Sequence, residues 1–497
     1  MQLRPDALIT PDELARGKRA LVKDAAWASL VGALYGGVIL VGFALELGAT
    51  PFIIGLLASI PFLAQLAQLP AIALVERLRQ RRKISVIAVT LSRTVILSLA
   101  LIPFIGDPAK QLAALILAQL AITLLGSIGG CSLNSWMHQL LQNEPLGELF
   151  SRRLFWSTVL ASLGALLAGQ MVQHWPFDEP LQAYSVAFAL AGAAGYVSTH
   201  YLASVPEPQM SRGGPPVPVL AMIRSPFRDT NFRKVILFMG SWNLASNLAA
   251  PFITVYLLTQ LGYPLGTVTT LWIASQVANA LTMYLWGRLS DRLSNKAILA
   301  VALPAYFGCL VALPFTAIPA MHALTLPLLY VIHVVMGAAA GGIGLATGNL
   351  GLKLAPQGQG TAYLANVSLV GSLAGGIAAL LGGSLADWFA ARELAVYFHW
   401  MSPESSQAVT VLQFQHWEFL FGISFLLGGY VLHVLSRISE GHEISERVVI
   451  QQFAAEAARS LDQLSPIEGL RAAILFPFGR LRERRRQPRA QSAGSEP

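Results

Sequence analysis

Long apolar stretches alternate with short polar segments along most of the chain. Each stretch is long enough to cross the hydrocarbon of a bilayer as a helix, which takes about 20 residues. The stretches are apolar on all sides, as in LVGALYGGVILVGFALELGA from Leu30, whereas barrel strands would alternate in short segments. The pattern predicts twelve membrane-spanning helices, at 25–47, 52–75, 84–105, 111–135, 154–175, 183–204, 233–258, 264–287, 297–318, 324–350, 362–389 and 416–437.

Composition agrees with hydrocarbon as the main solvent. Hydrophobic residues make up 54% of the chain and charged residues 12%, against about 25% charged in a soluble domain. A protein surface that faces lipid must leave charge off most of its area, because a charged group in hydrocarbon is costly.

Basic residues are distributed unevenly between the predicted loops. Apart from Arg93, Lys110 and Arg392, the Lys and Arg residues lie in or beside the segments before the first span and after the even-numbered spans. An excess of Lys and Arg marks cytoplasmic loops, so both termini are predicted to lie in the cytoplasm. The predicted location of the protein is the bacterial inner membrane. The net charge of +8 then reflects topology, and membrane lipids rather than nucleic acid are the expected partners.

A Pro- and Gly-rich polar segment divides the spans into six and six. The predicted organisation is a cytoplasmic N-terminal segment at 1–24, a six-helix bundle at 25–204, a central cytoplasmic linker at 205–232, a second six-helix bundle at 233–437 and a cytoplasmic tail at 438–497. Within the tail, an apolar stretch from Ile467 precedes a cluster of Arg residues. This pattern predicts either an amphipathic basic helix on anionic lipid or a disordered tail.

The two halves repeat one another in sequence. Stretches from Thr50 and from Tyr263 both open a span with Pro and end it in an acidic residue, Arg, Leu and a basic run. A second repeat pairs the stretches from Leu140 and from Leu354. Repeated halves around a midplane site are the architecture of alternating-access transporters.

A short motif follows the eighth span. GRLSDRLSNK, from Gly287 to Lys296, resembles the G-x-L-[AS]-D-R-x-x-x-[KR] loop of the major facilitator superfamily. The copy in the first half is degenerate, with Glu76 in place of the Asp, followed by Arg77. The resemblance implies an all-α membrane protein with 12 transmembrane helices in two six-helix pseudo-symmetric halves and both termini inside. It also implies secondary active transport without a cofactor.

The same motif predicts a gate at the cytoplasmic side. A carboxylate there, from Asp291 or Glu76, can pair with an Arg or accept from a helix amino terminus and so hold the two halves together. The alternative is that these charges only anchor helix ends and set topology. The residues of the predicted gate are Gly287, Asp291, Arg292, Lys296, Glu76 and Arg77.

Polar and aromatic side chains inside the spans are the candidate substrate ligands, because polar groups in hydrocarbon are costly and suggest function. The family resemblance implies that the first, fourth, seventh and tenth spans line the cavity. The candidates are Trp27, Tyr35, Trp242, Asn243, Asn247, Gln276, Asn279 and His333. For the amides the alternative is hydrogen bonding between helices. The scarcity of charge predicts a neutral or amphipathic organic solute.

Three titratable residues are candidates for proton coupling. His333 lies well inside the tenth span and can change charge near neutral pH, or it is a neutral His bonded to a neighbouring helix. Glu46 and Asp24 bracket the first span, where a buried carboxylate can bind a proton or an exposed one can anchor the helix end. Arg93 lies deep in the third span, so it is expected to have an acid or backbone carbonyls as a partner.

The sequence contains no P-loop, HExxH or GxSxG motif and no Cys/His cluster with metal-ligand spacing. It therefore predicts neither an enzyme nor a bound metal or cofactor. The leading hypothesis is a monomeric secondary active transporter that moves a small solute by alternating access, with protons as a candidate coupling ion. The alternative is a non-transporting membrane receptor or assembly factor on the same fold.

Overall fold

The computed structural model describes residues 5–6, 8–142, 144, 146–210, 225–290, 294–317, 321–355, 360–402, 405–440, 448–453 and 455. Long helices form most of this part of the chain. The predicted amphipathic stretch of the tail and residues 211–224 of the central linker lie outside the described residues.

Helices cover all six predicted spans of the first half. The first span is a pair of helices, α1 (Pro11–Tyr35) and α2 (Gly37–Glu46), and the second is α3 (Pro51–Ala64), which continues through a 3₁₀ turn into α4 (Gln68–Leu78). The next four are α5 (Arg81–Leu99), α6 (Pro108–Leu140), α7 (Leu146–Gln173) and α8 (Leu181–Ala203). The first span breaks at Gly37 because its φ of +52° suits glycine and few other residues.

The second half follows the same plan. Its spans are α9 (Thr230–Val255), extended by a π-helical turn, α10 (Leu265–Ser290), α11 (Asn295–Phe315), α12 (Thr325–Lys353), α13 (Gly360–Phe389) and α14 (Glu418–Ser436). In the described residues, 9 helical segments are long and apolar enough to cross a membrane. Helices α5, α8 and α10 fall outside that set because basic, hydroxyl or amide side chains lower their hydropathy.

The prediction of an all-helical chain is wrong at one place. Between α13 and α14, strands β1 (Glu393–Ser402) and β2 (Ser405–Gln415) form an antiparallel hairpin, with a bulge between Val396 and Tyr397. β-branched and aromatic residues are frequent here and favour extended backbone. The spans are predicted from length and hydropathy, and neither property reveals the pairing of two strands.

The N-terminal segment is not separate from the first span. Helix α1 begins behind a capping box, in which the Thr10 hydroxyl accepts from the N–H of Glu13 and the Glu13 carboxylate accepts from the N–H of Thr10. The helix then runs without a break through Asp24 into the apolar stretch. The predicted boundary at residue 24 therefore marks a change of composition and not an end of a helix.

The two ends of the bundle differ. We call the end that carries the loops after the even-numbered spans the basic end, and the other the distal end. At the distal end α3 packs closely on α13. A Cβ on Gly55 would clash with the carbonyl of Ala379 and lie 3.1 Å from the Cα of Gly383. The N–H of Phe52, in the first turn of α3, donates to the carboxylate of Asp387 (3.1 Å).

A second pair of helices closes the distal end. Helix α7 of the first half packs on α10 of the second, and a Cβ on Gly169 would lie 2.7 Å from the hydroxyl of Thr269. At the basic end, α4 buries Ala71 and Val75, Leu69 is half-buried, and its other apolar residues are exposed. In the described residues the halves therefore pack together at the distal end, whereas α4 at the basic end leaves most of its side chains exposed.

Candidate transport cavity

A cavity of about 740 Å³ lies between the two halves. Its wall is formed by α1, α2, α3, α6 and α7 of the first half and by α9 and α10 of the second. Most of the wall is Gly, Ala and aliphatic residues. Its volume falls in the range of pockets that hold small organic molecules, about 300–1,000 Å³.

The polar groups of the wall are uncharged. Among the described residues that line the cavity, there is no Asp, Glu, Lys, Arg or His. The polar and aromatic side chains on the wall are Ser29, Tyr35, Gln119, Asn247, Thr254, Thr269, Trp272 and Gln276. The cavity can therefore offer hydrogen bonds and aromatic faces to a solute, but no counter-charge.

Three of the sequence-predicted ligands lie on this wall: Tyr35, Asn247 and Gln276. Tyr35 is the last residue of α1, directly before the break in the first span. The Asn247 amide donates to the carbonyl of Asn243 one turn earlier (2.9 Å), which holds the amide against its own helix. The Gln276 side chain is exposed.

Two predicted ligands in α9 face the interior of the second half. The Trp242 ring packs against Tyr306 and Phe307 of α11, with ring centroids 5.2 and 5.6 Å apart. The Asn243 amide donates to the carbonyl of Met239 (2.9 Å). Neither residue belongs to the cavity lining.

Two more predicted ligands also lie away from the wall. Trp27 is partly buried and packs against the apolar core. Asn279 is on α10, one turn beyond Gln276, and is not part of the lining. Gln276 and Asn279 are three residues apart and lie on neighbouring faces of α10, but only the face that carries Gln276 lines the cavity.

His333 lies behind the cavity wall. Its side chain is 0% exposed, its Nδ1 is 2.8 Å from the carbonyl of Leu329, and its ring packs edge-on against Trp272 at 5.5 Å. Trp272 is on the wall, and its indole N–H donates to the hydroxyl of Thr254 (3.0 Å). The expectation that the tenth span lines the cavity is therefore not met in the described residues, because α10 stands between it and the cavity.

The remaining coupling candidates are in the first half. Asp24 is buried, and its carboxylate accepts from the hydroxyl of Ser198 (2.7 Å). Arg93 lies within electrostatic range of Asp24 and fits against Gly195, where a Cβ would lie 2.7 Å from its Cγ. Tyr35 also lies within electrostatic range of Arg93, and the expected partner of Arg93 stays a prediction. Glu46, the last residue of α2, is exposed.

The predicted gate is described only in part. Asp291 and Arg292 lie outside the described residues, and Gly287 is in the last turn of α10. Lys296 donates from its ammonium to the carbonyl of Ser436 (3.0 Å). Glu76 and Arg77, in the last turn of α4, have exposed side chains.

An acidic group that the sequence reasoning missed holds the basic end of the first half. The carboxylate of Glu207, just after α8, accepts from the backbone N–H groups of Arg81 (2.7 Å) and Arg82 (3.1 Å) at the start of α5. The Arg81 guanidinium lies against the same carboxylate (3.5 Å), and both side chains are buried. A carboxylate at a helix amino terminus is favoured by the helix dipole. The basic run that was predicted to set topology therefore also binds the start of the linker.

Glu440 repeats this arrangement in the second half. Its carboxylate accepts from the backbone N–H groups of Asn295 (3.1 Å) and Lys296 (2.7 Å) at the start of α11, and from the ammonium of Lys353 (3.1 Å). Burial raises the pKa of Glu440, but these hydrogen bonds outweigh burial, so its pKa lies below 4.5. The signal was present in the sequence, since both acids follow the last span of their half, in VPEP from Val205 and ISEG from Ile438.

Two helical halves with a solute-sized cavity between them define a membrane transporter of the multi-pass type. The family model of the Major Facilitator Superfamily matches residues 26–379. The chain therefore belongs to this superfamily and is one of its transporters, which confirms the family inferred from the motif. It is a transporter and not an enzyme.

Solved transporters share the fold at low sequence identity. A mutant of the nucleoside transporter NupG matches with a TM-score of 0.64 and 14% identity, over 85% of this chain and 100% of that chain. An inward-facing bacterial homologue of the iron transporter ferroportin matches with a TM-score of 0.60 and 14% identity, over 86% and 98%. An inward-facing, unoccupied bacterial homologue of the human lysosomal transporter Spinster matches with 0.57 and 14%, over 76% and 84%. No curated protein sequence matches the chain.

Proposed function

We propose that this protein is a secondary active transporter that moves a small, uncharged or amphipathic organic solute across the bacterial inner membrane by alternating access. The observation that carries the proposal is the cavity between the halves, whose described lining holds no charged side chain. A charged solute would lose its hydration there without gaining a counter-charge. A neutral solute can bind through amides, hydroxyls and apolar contacts.

The proposed topology has twelve spans with both termini in the cytoplasm. Helices occupy all twelve predicted segments, and the excess of Lys and Arg assigns the basic end to the cytoplasm. In that orientation the distal end would face the periplasm, and the helix contacts at Gly55 and Gly169 would close the cavity on that side.

Exposed apolar residues at the basic end support alternating access, in which the two ends of the bundle close in turn. Phe155 of α7 and Tyr284 of α10 lie about four turns from the distal contact of Gly169 with Thr269, on nearly the same helix faces. Both side chains are exposed, at 39% and 62%. A rocking motion that opens the distal end would bring these faces together and bury them.

Protons are the proposed coupling ion, with Asp24 as the first candidate. Its carboxylate is buried within the first half and, within the part of the chain that the structure describes, takes one hydrogen bond, from Ser198. The basic groups within electrostatic range are Arg93 and Arg153. A change in the charge of Asp24 would therefore change how α1 is held against its neighbours. His333 is the second candidate, since its Nε2 is buried and has no hydrogen-bond partner in the described residues.

Solute flux into proteoliposomes tests the proposal. We expect exchange of neutral organic solutes, little flux of sugar phosphates or inorganic anions, and acceleration by an imposed pH gradient. Asp24→Asn should remove the effect of the gradient but keep solute exchange, whereas Glu46→Gln, at an exposed site, should keep both. Strong flux of a sugar phosphate would contradict the solute class, and flux indifferent to the gradient would contradict proton coupling. No flux across a broad solute panel would favour the alternative, a non-transporting receptor or assembly factor.

A further inference from the structure

We infer that the solute is a planar, uncharged molecule with N–H and C=O groups on adjacent atoms, as in a lactam, a cyclic imide or a nucleobase. Two carboxamides of the cavity, Gln119 and Gln276, recognise that edge, and the carbonyl oxygen of a third, Asn247, offers it an acceptor. The inference rests on the proposed function and names the substrate class of the same cavity.

The three carboxamides approach the cavity from different helices. Gln119 lies on α6 of the first half, whereas Asn247 and Gln276 lie on α9 and α10 of the second. A carboxamide presents a donor and an acceptor in one plane. It is therefore complementary to another group in which N–H and C=O stand side by side, as when Asn or Gln pairs with adenine in DNA. A solute held by both halves also links binding to their relative position.

Two of these amides have hydrogen-bonding capacity that the protein does not use. The Gln119 side chain is only 5% exposed, and its Oε1 is buried with no partner among the residues described. Asn247 is half-buried and donates to Asn243 and Ser246, and in the described structure its carbonyl oxygen has no donor. A buried polar group without a partner is unfavourable, and a donor from the solute would relieve this at Gln119.

Two hydroxyls of the wall, those of Thr269 and Thr254, are already engaged. Thr269 donates to the carbonyl of Leu265 (2.8 Å), and the Thr254 hydroxyl accepts from the indole of Trp272 (3.0 Å). The rest of the wall is largely aliphatic. A sugar, with a hydroxyl on nearly every carbon, would leave most of its hydroxyls against apolar surface. The cavity suits a solute with one polar edge and a mainly apolar body.

Two aromatic rings favour a flat solute. Tyr35 and Trp272 both line the cavity. Trp272 is held by its hydrogen bond to Thr254 and by the edge of His333 behind it. Stacking on an aromatic side chain favours the binding of a planar ring. In this arrangement the buried His333 positions the ring on which the solute stacks.

Calorimetric titration of the full chain in lipid nanodiscs tests the inference with three probes. 1-Methyluracil has the required edge, 1,3-dimethyluracil keeps the ring but loses the N–H, and glucose has hydroxyls only. We expect 1-methyluracil to bind, methylation at N3 to weaken binding at least about tenfold, which is about 1.4 kcal/mol, and glucose to bind more weakly still. Gln119→Leu and Gln276→Leu should each lower the affinity for 1-methyluracil toward the affinity for 1,3-dimethyluracil.

The matched control is Asn279→Leu, which removes an amide from the same helix as Gln276 but outside the lining. It should keep the preference for 1-methyluracil, and thermal unfolding of every variant shows whether it is folded. Equal affinity for 1-methyluracil and 1,3-dimethyluracil, tighter binding of glucose, or no binding of 1-methyluracil would each overturn the inference. Flux of a neutral solute without the amide-type edge would overturn it while leaving the proposed function standing. Absence of all flux would count against the function itself.

Discussion

The packing around Gly55 predicts how a Gly55→Ala substitution changes the balance between two conformations of the protein. The missing side chain lets α3 and α13 approach at the distal end. A Cβ there would clash with the carbonyl of Ala379 and lie 3.1 Å from the Cα of Gly383. Both contacts are with backbone, so no rotamer change can relieve them. Gly55→Ala should therefore destabilise the state that is closed at the distal end.

The size of the effect follows from the cost of overpacking. An extra carbon in a well-packed interface costs about 1–3 kcal/mol, which corresponds to a shift of about 5- to 150-fold between two conformations. Alanine also stabilises a helix by about 0.5–1 kcal/mol relative to glycine. That gain is present in both conformations and cancels.

Cysteine accessibility measures the shift. Ala58 lies on the cavity wall in α3, and Ala58→Cys can be placed in a chain whose Cys131 and Cys309 are changed to serine. A membrane-impermeant maleimide added from the distal side should label this cysteine at least about fivefold faster with Gly55→Ala. The control is Gly126→Ala, since a Cβ on Gly126 would have nothing within 4 Å. Equal labelling rates in the two variants would refute the reasoning.

Three further predictions concern the basic end and the cavity. Glu207→Ala should lower the free energy of unfolding by about 3 kcal/mol, because Arg81 stays buried without its counter-charge; an unchanged denaturation midpoint would contradict this. The pKa of Glu440 is lowered from 4.5, so its stabilising effect is complete above about pH 4.5 and is lost on acidification. The difference in Tm between wild type and Glu440→Gln should therefore shrink at low pH rather than stay constant. Trp272→Phe should weaken binding of 1-methyluracil about tenfold in calorimetry through loss of the Thr254 hydrogen bond, and undiminished affinity would exclude this role.

The sequence by itself determined the solvent, the positions of the helices and the family. Backbone groups in hydrocarbon must be satisfied within the helix, so a span is a local property that can be recognised from about 20 residues. Because the spans can be located in the sequence, Tyr35, Asn247 and Gln276 can also be recognised there as polar or aromatic residues inside apolar spans. The hairpin at 393–415 was missed because its pairing does not depend on membrane hydropathy.

Only the tertiary structure decided which of these polar residues meet the cavity. His333 and Gln119 both lie inside apolar spans, yet α10 separates the first from the cavity, whereas the second lies on the wall. The face that a helix turns inward depends on the packing of spans distant in the chain. Glu207 likewise lies 126 residues from Arg81, and a carboxylate can be assigned to a helix amino terminus only when folding has brought the two together.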